Sequence, residues 1–314
     1  MRRQGQPPCR RRRFRPRRRR SPVMSCRTRY RIARVGRYWP GHHDARKTRG
    51  LREMLADSTR DKIAADLAQA ERSRQPITPL TPSYPDIDVV DAYQIQLINI
   101  RRRVAEGGRV VGHKVGLSSP VMQQMMGVDE PDYGHLLDNM RVFEDAPVRT
   151  ANYLYPRVEV EVGFILAADL PGADCTEDDV LAATEALVPS IELIDTRIKD
   201  WQIKICDTIA DNASAAGFVL GAARVSPAEV DVKAIDAVLT RNGELAAEGR
   251  SDAVLGNPAT AVAWLARKVE GFGVRLRKGD IVLPGSCTFA VDANAGDEFV
   301  ADFTGLGSVR LSFQ

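Results

Sequence analysis

Two segments in the first half of the chain carry apolar residues at helical spacing. In the first segment, Ile63, Leu67 and Ala70 fall on one face of a helix. The second segment has apolar or aromatic residues three or four positions apart, namely Val89, Tyr93, Leu97, Ile100 and Val104. Gly107 and Gly108 follow directly and end the pattern. The sequence therefore predicts two helices separated by a loop.

The next segment, VVGHKVGL at residues 110–117, is typical of a strand. Ser119 followed by Pro120 is a cap and first-turn signal, and Gly127 is a stop signal. We therefore expect a short helix between Pro120 and Gly127.

After about residue 150 the pattern becomes richer in strands. We expect strands at residues 158–167, 191–198, 280–283, 298–303 and 308–313, and a helix at residues 176–187 that begins with a capping box of Thr176 and Asp179. Asn242-Gly243 is a hairpin signal, and Asn257-Pro258 opens a helix that ends near Gly271. No regular alternation of strands and helices is present. This predicts an α+β fold, with a helical N-terminal portion (54–150) packed on a mixed or antiparallel β domain (151–314).

Charge divides the chain at residue 53. Residues 1–53 hold 20 Lys and Arg against 2 acidic residues, whereas the remainder holds 25 against 39, a net charge of −14. The Arg-rich segment lacks the apolar spacing of a folded domain, so we expect a disordered tail, or translation that starts at Met54. An arm that binds nucleic acid is an alternative for the tail alone. The acidic body argues against nucleic-acid binding by the folded part.

The cysteine pattern and the hydropathy of the chain indicate where in the cell the protein is expected. The five cysteines are widely spaced and form neither a CxxC pair nor a zinc motif. No stretch reaches the ~18 apolar residues of a membrane span, and the N-terminus lacks the apolar part of a secretion signal. We expect a soluble, cytoplasmic protein without a membrane partner.

Acidic residues interrupt two otherwise apolar strands. A strand sends residues i and i+2 to the same face, so PRVEVEVGFIL projects Glu159 and Glu161 side by side, and PSIELIDTRIKDW adds Glu192. Carboxylates in such a setting face water, pair with cations or bind a metal, and a solvated face is the simplest interpretation of the first strand alone. Three oxygen ligands from two strands favour Mg²⁺ or Mn²⁺, while ion pairs with Arg157 and Arg197 are the alternative.

Two further polar residues are candidates for chemistry. Lys114 lies among apolar neighbours in GHKVGL, where it is either a surface lysine or a cation that binds a carboxylate or carries a proton. His113 alternates to the opposite face, where a structural role is the simpler interpretation. Asp132, after Pro131, is expected in a loop, where turn chemistry is the simpler role.

The chain resembles the 2-keto-4-pentenoate hydratase family, which is related in fold to the fumarylacetoacetate hydrolases. The resemblance covers residues 54–314 and rests on the order and spacing of GHKVGLSSPVMQQMMGVDEPDYGHL, PRVEVEVGFIL, PSIELIDTRIKDW, DTIADNASAAGFVLG and IVLPGSCT. It implies a fumarylacetoacetate hydrolase C-terminal type of fold, a metal bound by the three glutamates, and a homo-oligomer.

The same resemblance implies roles for single residues. Lys114 and Asp132 match positions that line the family's active site, and Ser286 in LPGSCT matches a turn that contacts substrate. Where the family often has Arg after this turn, the chain has Phe289, which favours a substrate without a second carboxylate. Cys287 is expected to be a wall of the pocket and not a nucleophile, because no base is evident nearby.

The reaction that the resemblance implies is addition of water to 2-hydroxypenta-2,4-dienoate or a close homologue in the catabolism of aromatic or steroid rings. The partner would be a small 2-oxo or enol acid that chelates Mg²⁺ or Mn²⁺. A 4-oxalocrotonate-type decarboxylase is the first alternative. A fumarylacetoacetate-type hydrolase is the second alternative, although it would need a further acid/base set to activate a water, and the sequence shows no obvious histidine for that role.

Overall fold

A computed structural model of the chain describes residues 54–314, apart from the side chains of Met125 and Met126. The Arg-rich segment 1–53, and with it the prediction of a disordered tail, lies outside the described residues. The helices are α1 (Asp57–Ser73), α2 (Leu80–Ser83), α3 (Val89–Ala105), α4 (Pro120–Met126), α5 (Glu177–Ala183), α6 (Ile205–Ala210) and α7 (Pro258–Glu270). The strands are β1 (Val110–Gly116), β2 (Asp132–Leu137), β3 (Arg157–Leu166), β4 (Thr184–Ile194), β5 (Ala215–Leu220), β6 (Asp236–Arg241), β7 (Glu244–Arg250), β8 (Ile281–Leu283), β9 (Val291–Asp292), β10 (Glu298–Phe303) and β11 (Gly307–Ser312).

The described strands form two sheets. The larger sheet has the order β2-β1-β8-β3-β4-β5, with β9 paired to β3, and the smaller has the order β11-β10-β6-β7. β1 and β8 run parallel, and the other pairs are antiparallel, so the larger sheet is mixed. Together with the N-terminal helices, this confirms the α+β prediction. Strands from both sides of residue 150 share the larger sheet, and the division into domains 54–150 and 151–314 stays a prediction.

The two long N-terminal helices follow the predicted apolar pattern. Ile63 and Leu67 of α1 and Tyr93 of α3 are buried, and they belong to one hydrophobic core that also contains the inner residues of β3. The side chain of Asp88 caps α3 by accepting a hydrogen bond from the backbone N–H of Asp91. Val104, which was expected on the buried face, is 45% exposed because it lies in the last turn of α3.

The predicted helix at residues 176–187 is too long, and the predicted strand at residues 191–198 is displaced. The capping box of Thr176 and Asp179 is present, but α5 ends at Ala183 and β4 begins at Thr184. Residues 184–187 contain helix formers, yet they pair with β3, where Leu187 lies opposite Phe164. Tertiary pairing thus overrides local preference here.

The hairpin turn and the start of α7 lie where the sequence predicts them. Asn242 and Gly243 have φ values of 55° and 83°, the left-handed pair of a two-residue hairpin turn between β6 and β7. The side chain of Asn257 accepts a hydrogen bond from the N–H of Ala259, and Pro258 begins α7. Within the described residues, no helix combines the length and apolar character needed to cross a membrane.

Candidate active site

Three glutamates meet on one face of the larger sheet. Glu159 and Glu161 lie two residues apart on β3, and Glu192 on β4 lies directly opposite Glu159 in the antiparallel register. One carboxylate oxygen from each residue lies within 4.8 Å of the others. The alternate residues of β3 are fully buried on the other face, as the alternation predicted: Val158, Val160 and Val162. The structure therefore brings together the three predicted metal ligands.

The carboxylates of Glu161 and Glu192 are buried with little compensation from the protein. Oε2 of Glu161 accepts a hydrogen bond from the N–H of Gly285 at 2.8 Å, whereas Oε1 of Glu161 and both carboxylate oxygens of Glu192 make no well-aligned hydrogen bond with the residues that the structure describes. Burial, and then the neighbouring carboxylates, raise the pKa of Glu161 well above its usual range. Burial also raises the pKa of Glu192, although Lys114 opposes this. A divalent cation that prefers oxygen ligands fits this set, because it would supply the missing counter-charge.

Arg157 and Arg197 do not neutralise the three glutamates through ion pairs. Nε of Arg157 lies 2.7 Å from Oδ1 of Asp292, and Nε of Arg197 lies 2.5 Å from Oδ1 of Asp211. Within the described residues, the ion pairs of these arginines are thus with aspartates, and Arg157 acts on the cluster only by lowering the pKa of Glu159.

Lys114 on β1 is the cation that reaches this cluster. Its side chain is only 4% exposed, Nζ lies 3.4 Å from Oε2 of Glu192, and Nζ donates a hydrogen bond to the carbonyl oxygen of Ala213 at 2.9 Å. Burial by itself would lower the pKa of Lys114, but Glu192, Glu159 and the other nearby carboxylates raise it above its usual range. Lys114 is thus a fixed, charged group beside the carboxylates and not a surface lysine.

The sequence predicted that Asp132 lies in a loop, but it is the first residue of β2. It pairs with Gly116 of β1, which places its carboxylate on the same face as Lys114. The residue is 1% exposed, and its Oδ1 would lie 2.2 Å from a Cβ atom on Gly116. A side chain at position 116 would therefore displace the carboxylate of Asp132. Burial raises the pKa of Asp132, while Lys114 and the hydroxyl of Thr208 lower it.

The carbonyl that accepts from Lys114 belongs to a strained turn that sequence reasoning missed. Asn212, Ala213 and Ser214 have φ values of 56°, 49° and 59°, a run of left-handed residues without glycine. The side chain of Asn212 holds this turn against β2, because it donates to the carbonyl oxygen of His135 and accepts from its N–H. The segment DNAS has no apolar periodicity. Its one signal for a turn is an asparagine followed by small residues, because asparagine tolerates the left-handed conformation.

The LPGSCT segment crosses β3 beside the glutamates. The hydroxyl oxygen of Ser286 accepts a hydrogen bond from the N–H of Val160, and the N–H of Cys287 donates to the carbonyl oxygen of Val160. Burial raises the pKa of the Cys287 thiol to about 12, which is unsuited to a nucleophile and agrees with a wall residue. Phe289 is 68% exposed, and the structure does not bring it into the buried cluster.

His113 points to the opposite face of β1, as predicted. Its ring packs against His135 of β2 with 4.9 Å between centroids, and both of its ring nitrogens are buried without a hydrogen bond to any part of residues 54–314. Burial lowers the pKa of His113 well below its usual range and that of His135 to about 4. These histidines are neutral core residues behind the site.

A separate polar cavity of about 280 Å³ lies away from the glutamates, beside the C-terminus of α1. Its lining includes Arg103 and Arg197. Arg103 forms an ion pair with Glu71, and Arg197 forms one with Asp211. The arginines that line this cavity are therefore held in structural ion pairs.

Comparison with known proteins gives the same picture of the sequence. Residues 128–314 match the family model described as fumarylacetoacetate (FAA) hydrolase C-terminal. The 2-keto-4-pentenoate hydratase of Paraburkholderia xenovorans (strain LB400) is 44% identical over 261 residues, which cover 83% of this chain and 97% of the relative. The 2-oxo-hept-4-ene-1,7-dioate hydratase of Escherichia coli is 41% identical over 266 residues, covering 83% of this chain and all of the relative.

Among solved structures, 4-oxalocrotonate decarboxylase from Pseudomonas putida G7, complexed with magnesium and adipate, superposes with a TM-score of 0.80. It is 34% identical, and the match covers 83% of this chain and 99% of that one. Hydratases and a decarboxylase thus share the fold of this chain.

Proposed function

The chain belongs to the fumarylacetoacetate hydrolase family and, within it, to the 2-keto-4-pentenoate hydratases, and on that premise we propose that it adds water to 2-hydroxypenta-2,4-dienoate or a close homologue. It is a carbon-oxygen lyase, and the product is a 4-hydroxy-2-oxo acid. The observation that carries the proposal is the buried set of three glutamates beside one lysine and one aspartate. We place the reaction in the catabolism of aromatic or steroid rings by meta cleavage.

We propose Mg²⁺ or Mn²⁺ as the cofactor, with Glu159, Glu161 and Glu192 as its protein ligands. The hard carboxylate oxygens and their unmet negative charge support this choice over zinc, which favours nitrogen and sulfur ligands. When bound, the ion supplies Lewis-acid stabilisation of negative charge on the 2-oxygen of the substrate.

Lys114 and Asp132 act on the substrate in different ways in this proposal. Lys114 is held as a cation by its carbonyl and carboxylate contacts, so it attracts and orients the substrate carboxylate. Asp132 is a buried carboxylate whose Oδ1 accepts no well-aligned hydrogen bond from the described residues. It takes the proton of the 2-hydroxyl group and returns a proton to carbon 5, which converts the 2-hydroxydienoate to its conjugated 2-oxo-3-ene. Water then adds to this double bond, with its hydroxyl on carbon 4 and a proton on carbon 3. The rest of the substrate contacts the turn at Ser286 and the exposed Phe289 that follows it. Ser286 is fixed by a hydrogen bond to β3.

Decarboxylation of 4-oxalocrotonate is the second candidate, because the decarboxylase structure shares the fold of this chain. Product analysis separates the two reactions. The purified, metal-loaded protein is offered 2-hydroxypenta-2,4-dienoate and 4-oxalocrotonate in parallel, and products are followed by NMR with carbon dioxide measured separately. A 4-hydroxy-2-oxo acid without gas release supports hydration. Faster carbon dioxide release from 4-oxalocrotonate would assign the chain to the decarboxylases.

Other predictions from the sequence concern the cellular form of the protein. The assembly into a homo-oligomer and the cytoplasmic location stay predictions. The absence of nucleic-acid binding by the folded part likewise stays a prediction, supported by the net charge of −14 after residue 53.

A further inference from the structure

Thr208 on α6 is a buried hydroxyl residue that lies in the segment DTIADNASAAGFVLG, to which the sequence analysis assigned no role. Its Oγ1 donates a hydrogen bond to Oδ2 of Asp132 at 3.3 Å and lies 3.5 Å from the hydroxyl oxygen of Ser214. Both Thr208 and Asp132 are buried, with exposures of 5% and 1%. The contact joins residues 76 positions apart, so it depends on the folded arrangement of α6 against β2.

The helix that carries Thr208 is anchored at the neighbouring residue. The carboxylate of Asp207 accepts hydrogen bonds from the N–H of Leu80 at 2.5 Å and from the hydroxyl of Thr81 at 2.6 Å, both on α2. It also accepts from the N–H of Lys204, which closes the first turn of α6. Four polar contacts to Asp207, counting the N–H of Thr81, therefore fix the position of α6.

The two oxygens of Asp132 have different surroundings as a result. Oδ2 is held by Thr208, whereas Oδ1 faces Gly116 and accepts no well-aligned hydrogen bond from the described residues, although the nearby N–H of Gly116 lowers the pKa of Asp132. A carboxylate that is held through one oxygen cannot turn freely about its Cβ–Cγ bond. The other oxygen is then presented in a constant direction.

We propose that Thr208 is a positioning residue that fixes the carboxylate of Asp132 so that Oδ1 exchanges the proton with the substrate. This inference rests on the proposed function, because it assigns a support to the group that moves the proton in that reaction. A residue that only fills space or satisfies a buried acid would affect stability, whereas a positioning residue also affects the chemical step and its pH dependence.

The test replaces the hydroxyl with a methyl group of the same shape, in Thr208→Val, within the full chain loaded with Mn²⁺. We expect kcat to fall about tenfold or more with KM changed less than about threefold, because a hydrogen bond to a charged acceptor is lost while substrate contacts remain. Removing the donor also raises the pKa of Asp132, so the acidic limb of the kcat profile should move to higher pH. Lys114, Glu159 and Tyr93 interact electrostatically with Asp132 and are unchanged in this variant.

Two companion variants separate positioning from stability. Thr208→Ser restores the hydroxyl and should recover most of kcat and the original pH profile. Thr81→Val removes the 2.6 Å hydrogen bond to Asp207, so it should lower the unfolding temperature without moving the pH profile. If Thr208→Val does not fold, Thr208→Ala removes the same donor without added volume and is read in the same way.

The outcomes are distinct for the two proposals. If the wild-type protein is active and Thr208→Val has the same kcat and the same pH profile, the positioning role is overturned. A fall in stability alone, matched by Thr81→Val, would overturn it as well. A wild-type protein that hydrates none of a panel of 2-hydroxydienoates would instead overturn the proposed function.

Discussion

Nζ of Lys114 lies 3.4 Å from Oε2 of Glu192, and both side chains are almost completely removed from solvent. The lysine comes from β1 and the glutamate from β4, with β8 and β3 between them in the sheet. Lys114 therefore faces a cluster of carboxylates in a medium where charges interact strongly. The charge balance of this cluster determines both its metal affinity and its stability.

Lys114→Met should abolish turnover while leaving metal binding intact. The substitution removes a positive charge next to a cation site, so the affinity for Mn²⁺ should be unchanged or rise by up to about tenfold. Turnover should fall at least about a hundredfold, because the substrate carboxylate loses its counter-ion. Calorimetry near pH 8 gives the affinity, and a clear loss of Mn²⁺ binding would contradict the separation of roles.

Glu192→Gln should have the opposite signature. It removes a ligand, so Mg²⁺- or Mn²⁺-dependent turnover should fall by at least about a hundredfold. It also relieves crowding of buried carboxylates, so the metal-free protein should unfold at an equal or higher temperature. Glu185→Gln is the matched control, because Glu185 is an exposed residue near the start of the same strand. Unchanged metal affinity and activity in Glu192→Gln would refute the metal site.

Gly116→Ala tests the close approach of β1 and β2 at the site. A Cβ atom there would lie 2.2 Å from Oδ1 of Asp132, so the carboxylate must move. We expect at least about a tenfold loss of kcat, because small displacements of a catalytic group are costly, with metal affinity retained. Steady-state kinetics and calorimetry on the same preparation check this, and wild-type kcat would show that Asp132 does not act from its observed position.

The buried histidines behind the site should make the protein sensitive to acid. Burial lowers the folded-state pKa of His135 to about 4 and that of His113 well below its usual value, so the unfolded chain binds more protons below about pH 6.5. Their contribution is present above pH 6.5 and is lost as the pH falls toward 4, on the order of 1–2 kcal/mol for His135 by pH 5, and His113 acts in the same direction. His113→Phe should flatten this decline in urea unfolding between pH 7 and 5. An equal slope in the variant would exclude His113 as a cause.

Substrates with a short uncharged tail should be preferred over diacids. Phe289 follows the LPGSCT turn and offers no charge to a distal carboxylate. A diacid such as 4-oxalocrotonate should lose at least about a hundredfold in kcat/KM relative to 2-hydroxypenta-2,4-dienoate, because an unpaired carboxylate is costly to bury. The relative that acts on a diacid is 41% identical, so comparable efficiency on both substrates is the outcome that would contradict the prediction.

The metal ligands could be predicted from sequence because their arrangement is local. A period of two on β3 is enough to place Glu159 and Glu161 on one face, and an apolar context is enough to indicate burial. Glu192 required one further assumption, that its strand lies next to β3, and the register confirms it.

The environment of Asp132 could not be predicted in this way. Thr208 and Ala213 reach the site only because α6 and the left-handed turn after it pack against β1 and β2. No periodic pattern in DTIADNAS indicates this packing. The same limit explains the error at residues 184–187, where helix formers lie in a strand because β3 pairs with them.

The position of β8 in the sheet has a consequence for how the protein is made. β8 at residues 281–283 lies between β1 and β3, so Lys114 and the glutamates cannot be brought into register before that segment joins them. During synthesis, the residues up to β8 must therefore leave the ribosome before this sheet can be completed. We expect nascent chains that stop short of β8 to be inactive, although they already contain the lysine and all three glutamates.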